Sequence, residues 1–254
     1  MKRRDLIKAL GAVAVSGSIS ALGLPAHPSP SPSQSPDDVV PHGPLPKVVA
    51  GITLVDSKIA LDATKLAQEA SPPFLFNHAV RTFLFGALSG KASAVKVDYE
   101  LLYIVCILHD LGLTEQFVGD LPFEIQGAQA ASQFLGEHGL SQDRTAVVWD
   151  GIAMHASAIG QFKQPEIALV GVGAGADVLG PDFSLIKKAE ASEIVRAFPR
   201  LKFKEEFVKT CAGVVRQHPS VASRGFMRDI GEKYVPNFHP RNICDAIAQA
   251  PFDE

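Results

Sequence analysis

The sequence predicts an all-α protein, and three observations carry this prediction. From Val49 onward, apolar residues recur at three- and four-residue spacing, which is typical of helices with one buried face. No long segment alternates apolar and polar residues as half-buried strands do. The 254 residues are 46% hydrophobic and 20% charged, which is enough apolar material for a packed core. We therefore expect a compact bundle of several helices.

Residues 1–26 have the composition of an export signal. The basic pair Arg3-Arg4 comes before a stretch of small and apolar residues over 9–24, and Pro25-Ala26 closes the segment. The stretch is interrupted by serines and glycines and is shorter than the roughly 20 apolar residues of a membrane span, which disfavours a permanent anchor. Arg3-Arg4 followed by an acid, two aliphatic residues and a lysine resembles a twin-arginine signal, which carries folded proteins. An ordinary secretory signal and an uncleaved anchor are the alternatives.

The mature protein is accordingly expected to begin near His27 and to be periplasmic or secreted, with the export machinery as a transient partner. Exchanging both Arg3 and Arg4 for Lys should retain the protein in the cytoplasm, because a twin-arginine signal depends on that pair. Cell fractionation measures the outcome. Normal export of the double variant would leave the ordinary secretory signal as the explanation.

Residues 27–48 alternate proline and serine and contain little to bury, which predicts an extended linker. We expect residues 49–254 to form one helical domain. The net charge is -3, and removal of residues 1–26, which carry four basic residues and one acid, leaves the protein more acidic. Proteins that bind the phosphate backbone of nucleic acids are usually basic, so no nucleic-acid partner is expected.

Start and stop signals divide the domain into nine predicted helices. Ser71-Pro72-Pro73 separates the first two, Ser141 is an N-cap candidate, Gly139 follows a helix end, and Pro122 and Pro165 stand in first turns. The predicted helices cover 56–69, 74–88, 98–108, 122–138, 142–155, 165–179, 185–197, 205–217 and 241–248. The glycines of 171–176 lack the spacing of a dinucleotide-binding loop, so we expect them to let two helices approach closely.

Any metal ion in this protein must be held by histidines and carboxylates. The chain has three cysteines and no Cys-x-x-Cys pair, which excludes a thiolate zinc site of that type and a disulfide scaffold. His109-Asp110 ends an apolar run over 101–108. Burying an imidazole and a carboxylate there is costly unless a partner such as a divalent cation is present. A local cap or salt bridge made by Asp110 is the alternative.

Two further residues extend this candidate site. His78 lies one helix earlier among phenylalanines, where a histidine satisfied within the core is the alternative. Asp177 is the only carboxylate in the apolar and glycine-rich stretch over 168–179. Together with His109 and Asp110 they would form a mixed nitrogen and oxygen site with room for water. We expect one divalent ion, zinc in the first place, with iron and manganese as alternatives.

Five segments of the chain, 71–86, 108–114, 123–128, 149–155 and 173–177, form an ordered series of motifs. In this order they resemble the HD-domain superfamily of metal-dependent hydrolases, and more closely its cyanamide hydratase-like branch. The resemblance spans roughly 52–180, about half of the chain, and is more specific than a single His-Asp pair. Ala79 and Val55 depart from the branch, which commonly has a hydroxyl residue and a proline at these positions, but neither is a candidate ligand.

The resemblance implies a compact multi-helix HD-domain bundle with the metal site between helices. It implies His78, His109, Asp110 and Asp177 as the ligands. His155 would lie over the metal as a further ligand, a ligand of a second metal ion or a proton shuttle, although a histidine at a helix C-terminus is also favoured by the helix dipole alone.

Three charged residues within or beside these motifs are further catalytic candidates. Glu124 and Asp150 could orient a ligand imidazole or act as a base, or they could simply be solvated or capping residues. Arg81, one turn after His78, could polarise a substrate or neutralise one of the aspartates.

The predicted reaction is the attack of metal-activated water on a small substrate, with cyanamide or a nitrile-like compound preferred. No Lys or Arg occurs over 111–114, where many phosphohydrolase branches carry a cation. An HD-domain phosphohydrolase acting on a phosphomonoester or nucleotide is the alternative. A second alternative is an exported, non-enzymatic protein that binds metal or ligand. The sequence leaves the oligomeric state open.

Overall fold

The structure, a computed structural model, describes residues 45–240 together with Asn242 and Cys244. The predicted export signal and nearly all of the predicted linker lie outside these residues, as does most of the predicted helix over 241–248. The described residues are mostly helical, which confirms the predicted all-α class.

Nine α-helices occur in the described part of the chain. Eight of them confirm predicted helices, with ends that differ by at most four residues. Short 3-10 helices lie at Leu111–Leu113, Gly160–Phe162 and Pro219–Ala222. The α-helices are α1 (Lys58–Ala70), α2 (Pro73–Ala92), α3 (Tyr99–Leu108), α4 (Phe123–Glu137), α5 (Gln142–Met154), α6 (Pro165–Leu179), α7 (Lys188–Ala197), α8 (Phe203–Gln217) and α9 (Gly225–Tyr234).

Helix α9 was not predicted, because Gly225 and Gly231 lower the helix propensity of its sequence. Its apolar residues nevertheless follow helical spacing, with Met227 fully buried. Gly231 is required for packing, since a Cβ there would lie 2.6 Å from Cε1 of Phe238. Tertiary contact therefore offsets the weak local preference.

A short antiparallel hairpin at the start of the described residues was also not predicted. Strands β1 (Val48–Val49) and β2 (Ile52–Thr53) are joined by a turn at Ala50 and Gly51, both with positive φ. Two-residue strands are too short to show alternation in the sequence. Val48, the last residue of the predicted linker, thus already belongs to this hairpin.

Helix α2 is the central element of the bundle. All residues from Phe74 to Gly90 are buried, so the helix is covered on every side. Its most extensive contact is with α6. A Cβ on Gly173 would lie 2.0 Å from the carbonyl oxygen of Thr82, and one on Gly86 would lie 2.7 Å from that of Leu169. The predicted close approach at the glycines of 171–176 is confirmed at Gly173.

Helix α3 ends where the candidate site begins. Asp98 caps its first turn by accepting hydrogen bonds from the backbone N–H groups of Glu100 and Leu101. The chain turns at His109 into the 3-10 helix Leu111–Leu113. A Cβ on Gly112 would lie 1.9 Å from the carbonyl oxygen of Phe123, so the start of α4 contacts this turn directly.

Helices α8 and α9 form a second apolar cluster that also includes residues from the start of α2 and the start of α4. The candidate site lies where this cluster meets the larger apolar core, to which α2, α3 and α6 contribute. No helix in residues 45–240 has the length and apolar character that crossing a membrane requires.

Candidate metal centre

Three buried side-chain atoms converge at the junction of α2 and α3. His78 comes from the first half of α2, His109 is the C-cap of α3, and Asp110 follows it. The Nε2 atoms of His78 and His109 are 3.2 Å apart. Oδ2 of Asp110 lies 3.5 Å from Nε2 of His78 and 3.3 Å from Nε2 of His109. The structure thus brings together three of the four predicted ligands.

The hydrogen bonds of the two imidazoles leave both Nε2 atoms with a lone pair. Nδ1 of His78 donates to Oδ2 of Asp177 over 2.7 Å, and Nδ1 of His109 donates to the carbonyl oxygen of Cys106 over 2.7 Å. An imidazole that donates from Nδ1 and is neutral has its lone pair on Nε2. When both imidazoles are neutral, as metal ligands must be, the two lone pairs therefore face each other across 3.2 Å.

This arrangement fits a divalent metal ion. Oδ2 of Asp110 is buried and has no hydrogen-bond partner, so it adds an unpaired negative group to the two lone pairs. Two ligands bound at about 2.0–2.1 Å from a tetrahedral ion lie about 3.3 Å apart. The three observed separations of 3.2, 3.3 and 3.5 Å match that spacing. His, His and Asp suit zinc, and also iron or manganese.

The electrostatics of the site favour a positive charge at this position. Burial lowers the pKa of His78 despite the nearby Asp177, so its imidazole is the neutral ligand form. Burial would raise the pKa of Asp110, but His109 and the other imidazoles hold it well below its usual range. Burial opposes a charge on His109, yet Asp110 outweighs burial and raises the pKa of His109. Asp110 therefore stays ionised and attracts a cation.

Asp177 lies on the other side of the His78 ring, at Nδ1. Its Oδ1 and Oδ2 accept hydrogen bonds of 2.8 and 2.7 Å from Nε and Nη2 of Arg81. Nη1 of Arg200 also donates to Oδ1 over 2.8 Å. In this position Asp177 orients His78, an arrangement common for metal-binding histidines. It is not one of the three converging residues, and its role as a fourth ligand stays a prediction.

Arg81 is fully buried and neutralises Asp177, which is one of the two roles predicted for it. Its Nη1 donates to the carbonyl oxygens of Phe198 and Pro199. These bonds occupy the guanidinium, so its contacts give no support to the other predicted role, polarising a substrate.

Arg200 was missed by the sequence analysis, because it lies outside every motif and beside no apolar run. It is held against Asp177 by a turn in which Leu201 and Lys202 both have positive φ. Such backbone is unfavourable for residues other than glycine and often occurs at functional sites. The turn also places Phe203 with its ring centroid 4.7 Å from that of His78.

His155 lies at the edge of the cluster, and its role as a ligand or proton shuttle stays a prediction. Its Nε2 is 3.7 Å from Oδ1 of Asp110, and its Nδ1 donates to the carbonyl oxygen of Ile152. Burial, followed by repulsion from His109, lowers the pKa of His155 to about 4. His155 is therefore neutral with a lone pair on Nε2, and it is a weaker proton acceptor than an ordinary imidazole.

Glu124, in the first turn of α4, is a second candidate for proton transfer. Burial raises its pKa, and the negative charge of Asp110 raises it further. A raised pKa keeps a carboxyl group protonated to a higher pH than usual. Among the described residues no hydrogen bond joins Glu124 to the cluster, so its catalytic role stays a prediction. Asp150, in contrast, is half-buried and pairs with Lys163 at 3.2 Å. Asp150 has no hydrogen bond or ion pair with the described residues of the cluster, so its catalytic role stays a prediction.

The fold and the site together define an all-α protein with a buried His-His-Asp group suited to a divalent metal ion. No family model matches the chain. It is similar to two proteins of Saccharomyces cerevisiae, cyanamide hydratase DDI2 and cyanamide hydratase DDI3. Each is 26% identical over 187 residues, which cover 71% of this chain and 79% of the relative. The similarity supports a relation to cyanamide hydratases, and membership of the HD-domain superfamily stays a prediction.

Proposed function

We propose that the protein is a metal-dependent hydratase of the cyanamide hydratase type, acting on cyanamide or a nitrile-like compound. The observation that carries the proposal is the buried convergence of two Nε2 lone pairs and the unpartnered Oδ2 of Asp110. The similarity to two cyanamide hydratases supports the substrate class.

His78, His109 and Asp110 would hold the ion, and Asp177 would keep the His78 ring oriented. When bound, a divalent ion supplies Lewis acidity and lowers the pKa of water. His155 would accept a proton from the attacking water, and the protonated fraction of Glu124 would deliver one to the nitrogen of the C≡N group. One water molecule is added across the C≡N bond, so cyanamide yields urea.

The arginines at the site favour an uncharged substrate over a phosphate ester. Arg81 and Arg200 both donate hydrogen bonds to Asp177, and Arg81 also binds two backbone carbonyls. Phosphoryl groups need cations or oriented donors directed at their oxygens. The cations that the described residues place here are directed at Asp177 instead.

Urea release from cyanamide by the metal-loaded protein tests the proposal. Metal content is measured on the same sample, with p-nitrophenyl phosphate and a nucleotide as competing substrates. Urea formation that depends on metal supports the hydratase. Phosphate release without urea would establish the phosphohydrolase alternative, and bound metal without turnover of any substrate would establish the binding protein.

Replacing His155 with Ala should lower kcat by about 100-fold or more while metal content stays the same, as expected for a proton shuttle. Urea assays and elemental analysis measure the two quantities. His138→Ala is the control, because His138 is exposed at the end of α4 and donates only to the carbonyl oxygen of Phe134. Loss of metal from the His155 variant would instead identify His155 as a ligand.

We also propose that the protein is exported and that residues 49–254 form its catalytic domain. Both proposals rest on the sequence of residues 1–48, and the Arg3 and Arg4 exchange tests the first of them.

A further inference from the structure

Seven aromatic side chains form a closed ring beside the candidate metal centre. Each ring is next to at least two others, so the series returns to its starting point, and the His78 and Phe207 centroids are also within 6.0 Å of each other. The neighbouring centroids are separated by 5.1 Å (His78 to His109), 4.8 Å (His109 to His155), 5.6 Å (His155 to Phe123), 5.7 Å (Phe123 to Phe226), 6.3 Å (Phe226 to Phe207), 5.0 Å (Phe207 to Phe203) and 4.7 Å (Phe203 to His78).

The two halves of this aromatic ring differ in chemistry. The three imidazoles supply the candidate ligands and the proton acceptor described above. The four phenyl groups offer apolar faces and no hydrogen-bond donor, so they favour a neutral group with π electrons and disfavour an anion. A phosphate or other anion against them would lose its hydration without gaining a partner. Phe203 already has cations against its ring, since Cζ of Arg200 and Cζ of Arg81 lie 4.8 and 5.5 Å from its centroid.

The phenyl half also has a buried side and a solvent side. Phe123 and Phe203 are each 2% exposed, whereas Phe207 and Phe226 are half-buried. Phe207 comes from α8 and Phe226 from α9, which both lie outside the segments that resemble the cyanamide hydratase-like branch. The ring is therefore completed at its solvent side by the C-terminal helices.

We propose that the aromatic ring surrounds the substrate and that Phe207 and Phe226 limit it to small, neutral molecules such as cyanamide. The inference rests on the proposed function, because that function places the reaction at the imidazole half. A compact C≡N compound would lie between the imidazoles and the phenyl groups, and a bulky substituent would meet the two half-buried rings. Phe207 and Phe226 are thus residues that determine specificity.

Truncating either ring should relax this size limit. In Phe207→Ala and Phe226→Ala, the ratio of kcat/KM for dimethylcyanamide to that for cyanamide should rise by at least about tenfold. Phe207→Leu and Phe226→Leu leave smaller gaps and should also raise this ratio. They replace the alanine variants in the test if an alanine variant does not fold. Phe134→Ala is the matched control, because Phe134 is half-buried in α4 and stacks on the exposed His138.

A binding measurement separates this inference from the proposed reaction. The protein is loaded with Co²⁺, and its visible absorption is titrated with imidazole and with the bulkier benzimidazole. The phenylalanine variants should gain affinity for benzimidazole relative to imidazole by about tenfold. If the wild type forms no urea, the proposed function fails, but this titration still tests the size limit. Unchanged ratios in folded, metal-loaded variants of both residues would overturn the inference.

Discussion

Replacing His109 with Ala is expected to abolish stoichiometric metal binding and, with it, catalysis. His109 contributes one of three converging ligand atoms, and its removal leaves only His78 and Asp110 in that group. Loss of a residue that merely orients a ligand typically costs 10–100-fold in affinity, so loss of a ligand should cost more than about 100-fold. Elemental analysis after gel filtration measures bound metal, and the urea assay measures activity.

His218→Ala is the control for this experiment. His218 lies at the end of α8 and pairs with the exposed Asp120 at 2.8 Å, so its removal should leave metal content unchanged. His109→Asn preserves a polar side chain at the buried position and separates loss of a ligand from loss of folding, which circular dichroism monitors. Full metal occupancy in a folded His109 variant would show that the ion is not held here.

Replacing Gly173 with Ala is expected to have the largest effect on stability. The new Cβ would lie 2.0 Å from the carbonyl oxygen of Thr82 and 3.0 Å from the backbone nitrogen of Gly86, so α2 and α6 must move apart. Both obstacles are backbone atoms, which cannot rotate away as a side chain can. Overpacking usually costs 1–3 kcal/mol, and a clash of this kind should cost at least about 3 kcal/mol. The melting temperature should then fall by about 6–12 °C.

Gly175→Ala in the same helix is a matched control. A Cβ on Gly175 would meet nothing within 4 Å, so this change should stabilise the protein by about 0.5–1 kcal/mol through helix propensity alone. Thermal unfolding of both variants gives the comparison. Asp177 lies one turn after Gly173, so the Gly173 variant should also bind metal more weakly. A melting temperature at or above that of the wild type would contradict the close helix contact.

Helix positions were predictable where local signals and apolar spacing agreed. Pro165 begins α6 as expected, and Gly139 follows α4 with a φ of 79°. Ser141 occupies the predicted N-cap position of α5, although its side chain makes no capping hydrogen bond. Helix α9 was not predicted because Gly231 lowers the helix propensity of its sequence. The reason for this glycine is its close contact with Phe238, which lies outside the helix. Propensity records a local preference and cannot include such a contact.

The candidate ligands were predictable for a similar reason. His109 and Asp110 end an apolar run, and a polar pair at such a position must find a partner once the run is buried. Asp177 stood out as a lone carboxylate in an apolar stretch. What the sequence left undecided was the direction in which each carboxylate oxygen points, because this depends on groups far away in the chain.

By itself, the sequence determined the all-α class and most helix boundaries, because apolar spacing is a local property. It also indicated His78, His109 and Asp110, the three converging residues that could hold a metal ion, because polar residues isolated in apolar stretches are visible locally. Only the tertiary structure decided that Asp177 contacts Nδ1 of His78 together with Arg81 and Arg200. It also decided that Phe207 and Phe226 complete the aromatic ring. Several of these contacts join residues about a hundred positions apart in the chain. Their geometry follows from how α2, α6, α8 and α9 pack around one buried centre.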